Sequence, residues 1–141
     1  MKFKCLRHDN CCYFSSLFEC PVVFEDEKER LERLGKKLNV KVRFEEVQDG
    51  VWKFVIDGFC GFYDREAKIC RIHEVKPLAC KMFPLILDPK NKLILVSRAC
   101  KWVNENWNVV TSNPVQLVFP EEYEIAVKAY FRFLQASRKE L

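Results

Sequence analysis

Residues 60–84 read CGFYDREAKICRIHEVKPLACKMFP and contain three cysteines, Cys60, Cys70 and Cys80, spaced ten residues apart. Thiols that far apart cannot form a site within one local turn, so the fold has to bring them together. Lys76 and Pro77 predict the end of an extended stretch and the start of a short helix that carries Cys80. The amides at the start of that helix are predicted to hydrogen-bond thiolate sulfur.

A second group of thiols lies earlier in the chain, where residues 5–12 read CLRHDNCC. Cys5, His8 and Cys11 recur at every third residue, and two intervening residues let a tight turn bring both ligands onto one ion. We therefore interpret His8 as a ligand rather than as an exposed loop histidine. The adjacent Cys11 and Cys12 leave three alternatives open: two metal ions, two corners of a site built in a turn, or one ligand beside one packing thiol.

The composition indicates a reduced, metal-binding protein. The chain has 141 residues, with 24 Lys plus Arg against 20 Asp plus Glu, and the mild basic excess is too dispersed to indicate nucleic-acid binding. No signal-peptide pattern or bilayer-length apolar run is present, so we expect the protein in the cytoplasm, where thiols stay reduced. The eight cysteines then favour metal ligation. Disulfides remain an alternative, because the Glu/Lys-rich stretch FEDEKERLERLGKKL is typical of hyperthermophiles, whose intracellular proteins can carry them.

The hydrophobic pattern predicts one α+β domain over residues 1–141, with the metal motifs within 3–100. An amphipathic helix is expected at 24–38, antiparallel hairpins at 40–59 and 83–97, and a long C-terminal helix at about 120–138. The last helix is predicted to pack over the sheet through an apolar stripe. Its members are Tyr123, Val127, Tyr130, Phe131 and Leu134, widened by Ile125 and Phe133.

The two cysteine blocks, in this order, resemble the CxxCxxCC or YkgJ-like cysteine-cluster family of zinc- or iron-chelating proteins. The resemblance covers roughly residues 3–100. It departs from the family pattern at His8, which stands at the family's second cysteine, and Lys76 and Lys81 stand where arginine is commoner. Cys20 matches no family position, and we expect it to be a buried or incidental thiol, with an accessory ligand as the alternative. Carried over by position, the family's cysteines fall on Cys5, Cys11, Cys12, Cys60, Cys70 and Cys80, and Cys100 resembles a further cysteine that many members carry.

The predicted ligands together form a set of eight soft donors, Cys5, His8, Cys11, Cys12, Cys60, Cys70, Cys80 and Cys100. Such a set would close two tetrahedral zinc sites or hold one iron–sulfur cluster with thiols to spare. The block is also similar to one in the flagellin lysine N-methylases, which are thought to hold an iron–sulfur cluster. We therefore expect an iron–sulfur cluster, with up to two Zn²⁺ ions as the alternative.

The expected function is a redox or metallocluster module with a protein partner and no membrane association. One alternative is a structural zinc domain that docks a protein or, less well supported, a nucleic acid. Another is a lysine N-methylase-like enzyme or accessory, but the chain has only four glycines and no glycine-rich cofactor loop, so we do not expect catalysis. His73 is predicted to pack or bond locally, and Asp64 to serve a turn or to orient a ligand.

Overall fold

The computed structural model describes residues 1–4 and 12–139, with side chains described up to residue 136. It is a single domain of helices and short antiparallel strands, as the sequence predicts. The strands are β1 (Tyr13–Phe14), β2 (Val22–Phe24), β3 (Phe44–Gln48), β4 (Val51–Phe54), β5 (Gly58–Phe59), β6 (Tyr63–Asp64), β7 (Ile69–Cys70), β8 (Leu85–Asp88) and β9 (Leu93–Val96). The helices are α1 (Glu25–Leu38), α2 (Leu78–Lys81), α3 (Lys101–Glu105), α4 (Trp107–Ser112), α5 (Val115–Val118) and α6 (Pro120–Lys139), with 3₁₀ turns at Leu17–Glu19 and His73–Val75.

The amphipathic helix predicted at 24–38 is confirmed as α1. Three acidic residues occupy its first turn and two lysines its last, which suits the helix dipole. Leu31 is buried in the smaller of two hydrophobic clusters, where Leu34 and Leu38 pack beside it. The helix ends at Asn39, whose backbone is left-handed (φ 58°). The Asn39 amide donates to the Gly35 carbonyl oxygen, and the Val40 amide donates to the same oxygen at 2.8 Å.

Both predicted hairpins form, and the first also joins β2. In the three-stranded antiparallel sheet β4 lies between β2 and β3, with Val23 opposite Trp52 and Phe44 opposite Phe54. The second hairpin pairs β8 with β9. One boundary prediction was wrong. Residues 51–59 do not form one strand, because the chain leaves the sheet after Phe54 and passes Gly58 (φ 87°) to pair with β1 instead.

Helix α6 begins at Pro120 as predicted, and most of the expected stripe packs against the larger hydrophobic cluster. Phe133 is buried there, and Tyr123, Ile125, Tyr130 and Leu134 are partly buried beside it. Ala126, Ala129 and Phe133 line the buried face, whereas Phe131 is 60% exposed. Phe131 precedes Phe133 by two positions, about 200° around the helix, so both cannot face the core. The small alanines at the centre of the face let α6 lie close to α2, α5 and β8.

A lysine inside the sheet is the least expected part of the core. Lys53 is 7% exposed, and its Nζ donates hydrogen bonds to the carbonyl oxygens of Phe18 (2.9 Å) and Cys20 (3.0 Å). These carbonyls lie at the carboxyl end of the 3₁₀ turn Leu17–Glu19, where a cation is favourable. Among the described helices, none is long and apolar enough to cross a lipid bilayer.

Candidate metal centre

Strands β1 and β5 bring the backbones of Cys12 and Cys60 together. Tyr13 pairs with Phe59 and Phe14 with Gly58, and the Cys60 amide donates a 2.7 Å hydrogen bond to the Cys12 carbonyl oxygen. The ladder therefore continues one step past the two strands, to the position where each strand is followed or preceded by a cysteine. Two residues that are 48 positions apart in sequence become backbone neighbours at this end of the ladder.

The third thiol follows from a short hairpin that starts just after Cys60. The Tyr63 amide donates to the Cys60 carbonyl oxygen at 3.0 Å, and Tyr63 then pairs with Cys70 across β6 and β7. Asp64 shapes the turn: its Oδ1 accepts hydrogen bonds from the amides of Glu66 (3.0 Å) and Ala67 (3.1 Å). The prediction that turn chemistry explains Asp64 is confirmed.

The fourth thiol, Cys80, lies on the short helix α2, which starts after Pro77 as predicted. The expectation that amides at this helix start would bind thiolate sulfur was wrong for the amides whose partners are described. The Leu78 amide donates to Glu27 Oε2 at 2.8 Å, and the Cys80 amide donates to the Pro77 carbonyl oxygen at 3.0 Å. A buried carboxylate accepts more strongly than a thiol, so Glu27 takes the amide at the start of α2.

Electrostatics relates three of these thiols to the fourth, Cys80. Burial raises the pKa of the Cys80 thiol well above its usual value, and negative charge on Cys60, Cys70 and Cys12 raises it further. Burial also raises the pKa of Cys60 from 9.0 to about 11, again with a contribution from Cys70. The positive charge of Lys76 acts in the opposite direction on Cys80. Several thiolates in this group need a nearby cation, because burial and mutual repulsion both disfavour their charge.

The donor chemistry of this group fits zinc or iron, which thiolates bind as soft ligands. The packing around it is also suitable, since Cys60 and Cys70 lie against the smaller hydrophobic cluster of Val23, Phe62 and Ile72. Within residues 1–4 and 12–139, no three Cys, His, Asp or Glu side chains are close enough to hold a metal ion as they stand.

The remaining predicted ligands lie elsewhere or outside the described chain. Cys5, His8 and Cys11 fall in the part of the sequence that the structure does not describe. Cys100 is 2% exposed, lies in the larger hydrophobic cluster and caps the start of α3. Its role as a ligand stays a prediction. Cys20, expected to be a buried thiol, is 3% exposed, with its Sγ 3.3 Å from the Ile56 carbonyl oxygen and 3.4 Å from the Ile56 amide nitrogen.

Two further side chains contact the segment that leads into α2: His73, considered in the sequence analysis, and Glu27, which was not. His73 bonds locally, as predicted, with its Nδ1 3.3 Å from Lys76 Nζ. Glu27 was not singled out by the sequence, although its carboxylate is 4% exposed and contacts the helix that carries Cys80. The pattern that could have indicated it is the acidic residue three positions after Phe24, since a helix's third residue often bonds back to the cap amide. Glu27 Oε1 accepts that bond from the Phe24 amide at 3.1 Å.

Comparison with known proteins gives one match. A family model described as "CxxCxxCC: Putative zinc- or iron-chelating domain" matches residues 4–107, which include all four thiols of the group and the predicted ligands Cys5, His8, Cys11 and Cys100. No curated protein and no solved structure matches the chain.

Proposed function

The chain belongs to the CxxCxxCC family of zinc- or iron-chelating domains, and from this premise we propose that Cys12, Cys60, Cys70 and Cys80 hold an iron–sulfur cluster. The backbone geometry supports the proposal, because the Cys60 amide bonds to the Cys12 carbonyl oxygen and the following hairpin returns the chain to Cys70. Negative charge on each of these three thiols also disfavours ionisation of Cys80, which agrees with a common site. A bound metal supplies the positive charge that such a group lacks.

Four thiols are the donor set that iron–sulfur clusters use most often. When bound, such a cluster supplies one-electron chemistry. The chain's own contribution is to hold the sulfurs from three strand ends and one helix, and to place Lys76 where its charge offsets negative charge on Cys80. We propose that the protein works as a redox or metallocluster module in the cytoplasm, with a protein partner and without catalysis of its own.

The predicted donors Cys5, His8, Cys11 and Cys100 would complete or extend the site. The histidine at the family's second cysteine position supports the alternative, a structural zinc domain, because mixed Cys/His sets are common for zinc. Such a domain would dock its partner through its surface, where Tyr13, Leu17 and Phe18 are about half exposed shortly after Cys12 in sequence.

Anaerobic purification of the full chain, followed by elemental analysis and a visible spectrum of the same sample, tests the proposal. The expected result is iron with acid-labile sulfide and broad visible absorption. Near-stoichiometric zinc in a colourless sample would replace the cluster by the zinc alternative, and salt-sensitive retention of RNA would then favour a nucleic-acid partner. A protein that contains neither metal and has its thiols paired as disulfides would refute metal binding.

A further inference from the structure

Glu27 joins two elements through a single buried carboxylate. Its Oε1 accepts a hydrogen bond from the Phe24 amide at 3.1 Å, and its Oε2 accepts one from the Leu78 amide at 2.8 Å. The first bond caps α1, and the second reaches a residue 51 positions away at the start of α2. Because the side chain is 4% exposed, water does not compete for either bond.

The helix that receives the second bond, α2, is too short to be stable on its own. With four residues, α2 is far shorter than the length at which an isolated helix is stable. Its position depends on anchors at both ends. Met82, which caps its carboxyl end, is fully buried in the larger hydrophobic cluster, and Leu78 is bonded to Glu27 at its amino end. Cys80 lies between these two anchors.

The bond to Leu78 requires a carboxylate rather than any polar side chain. Each carboxylate oxygen accepts from a different amide, and an amide side chain has only one acceptor oxygen. Glutamine at this position would direct its own N–H group at a backbone N–H. Burial raises the pKa of Glu27 above its usual value, while the bonds from Leu78 and Phe24 oppose that change.

We propose that Glu27 is a positioning residue for the metal site, one that fixes the helix carrying Cys80 on the side of the other three thiols. The inference rests on the proposed function, because it assigns Glu27 a role only if Cys80 is a ligand. Metal sites tolerate displacements of only a few tenths of an ångström in a ligand. An anchor at the start of α2 is therefore expected to affect the metal affinity of the site.

The test compares E27Q with E29Q, a matched change at an exposed residue of the same helix. Metal-free full-length protein is titrated with Zn²⁺ in competition with a chromophoric chelator, since zinc binds thiols whichever metal the site holds natively. We expect E27Q to bind Zn²⁺ about 10-fold to 100-fold more weakly and E29Q to bind it as the wild type does. Equal affinity in E27Q and the wild type would overturn the inference.

Two further measurements separate positioning from a general loss of stability. F133L, a core change in α6, is expected to lower the free energy of unfolding while the folded protein keeps its Zn²⁺ affinity. In a double-mutant cycle, E27Q combined with C80S should weaken binding no more than C80S alone, because Glu27 acts through Cys80. Additive losses would overturn the inference.

If E27Q does not fold, L78P replaces it. Proline is tolerated at the first position of a helix and removes the donor to Glu27, and Pro77 already has the extended backbone that a following proline requires (ψ 159°). The matched control is L78A, which keeps the donor and loses the packing of the Leu78 side chain against the larger hydrophobic cluster. L78P should reproduce the loss of Zn²⁺ affinity, and unchanged affinity would contradict the role of Glu27. A wild type that binds no Zn²⁺ would refute the proposed function itself, an outcome distinct from any result on the variants.

Discussion

The Cys60 amide donates a 2.7 Å hydrogen bond to the carbonyl oxygen of Cys12. This bond holds the cysteine that ends the first motif against the cysteine that begins the second. The backbones of Cys12 and Cys60 therefore meet, and negative charge on either thiol raises the pKa of Cys80, as negative charge on Cys70 does.

Serine replacements should separate ligands from other buried thiols. We expect C60S and C80S to lose most of the bound metal and to unfold at lower temperature, because serine is a poor ligand and metal binding is coupled to folding. C20S should keep its metal, since the Cys20 thiol bonds to Ile56 instead. Elemental analysis and thermal unfolding of the three purified variants measure both effects. Full metal content in C80S, or metal loss in C20S, would contradict the proposed ligand set.

Metal removal should leave Cys60 unreactive in the folded protein. Its pKa is raised to about 11 by burial, so at pH 8 its thiolate fraction is about 100-fold below that of a thiol with a pKa of 9. Alkylation by iodoacetamide, followed by mass spectrometry of the Cys60 peptide, should be correspondingly slower in the folded metal-free protein than in urea. Equal rates in the two states would show that the thiol is not buried.

The same pKa predicts how pH affects the stability of the metal-free protein. A thiol whose pKa is raised in the folded state contributes stability that is complete below pH 9 and is lost as the pH rises through about 11. Urea unfolding of the metal-free wild type and of C60S at pH 8 and pH 10.5 measures it. The wild type should lose more of its free energy of unfolding between these pH values than C60S does. An equal loss would exclude Cys60 as the source.

The orientation of α6 gives a stability prediction. F133A should lower the free energy of unfolding by about 3–5 kcal/mol, because it leaves a cavity where a fully buried ring packs. F131A should change it by less than about 1 kcal/mol, since that ring is 60% exposed. Urea unfolding of both variants measures the difference. A larger loss in F131A than in F133A would mean that the helix presents the other face to the core.

Asp64 should matter through its oxygen and not through its charge. D64N keeps an acceptor for the amides of Glu66 and Ala67 and should retain metal and stability, whereas D64A should lose about 1 kcal/mol. Unfolding curves and metal content of the two variants provide the measurement. Metal loss in D64N would instead indicate that the carboxylate charge supports a ligand.

The sequence predicted the elements whose signals are local. Helix α1, the two hairpins, the short helix after Pro77 and the start of α6 at Pro120 all follow from periodicity, turns and proline positions. The pairing of β1 with β5 could not be predicted, because strands of two residues carry no periodicity and their partners are distant in sequence. The helices between residues 101 and 118 were also not predicted.

In the candidate site, too, local signals could be predicted and contacts between distant residues could not. Residue types and spacing indicated the thiols, but not that a lysine would be buried or that a glutamate would anchor α2. Lys53 and Glu27 look like ordinary surface charges in sequence, and only tertiary contacts supply their backbone partners. Charged residues are normally exposed, so a prediction from residue type assigns them to the surface.

The ladder between β1 and β5 joins residues that leave the ribosome at different times. Cys12 leaves the ribosome first, and Cys80 follows roughly 3 to 14 seconds later at usual rates of translation. Under the proposed ligand set, a metal held by all four thiols would be captured only after α2 has emerged, so Cys12 and Cys60 would stay unligated until then. A cellular factor that delivers the metal would then act on a chain that already contains both strands of this ladder.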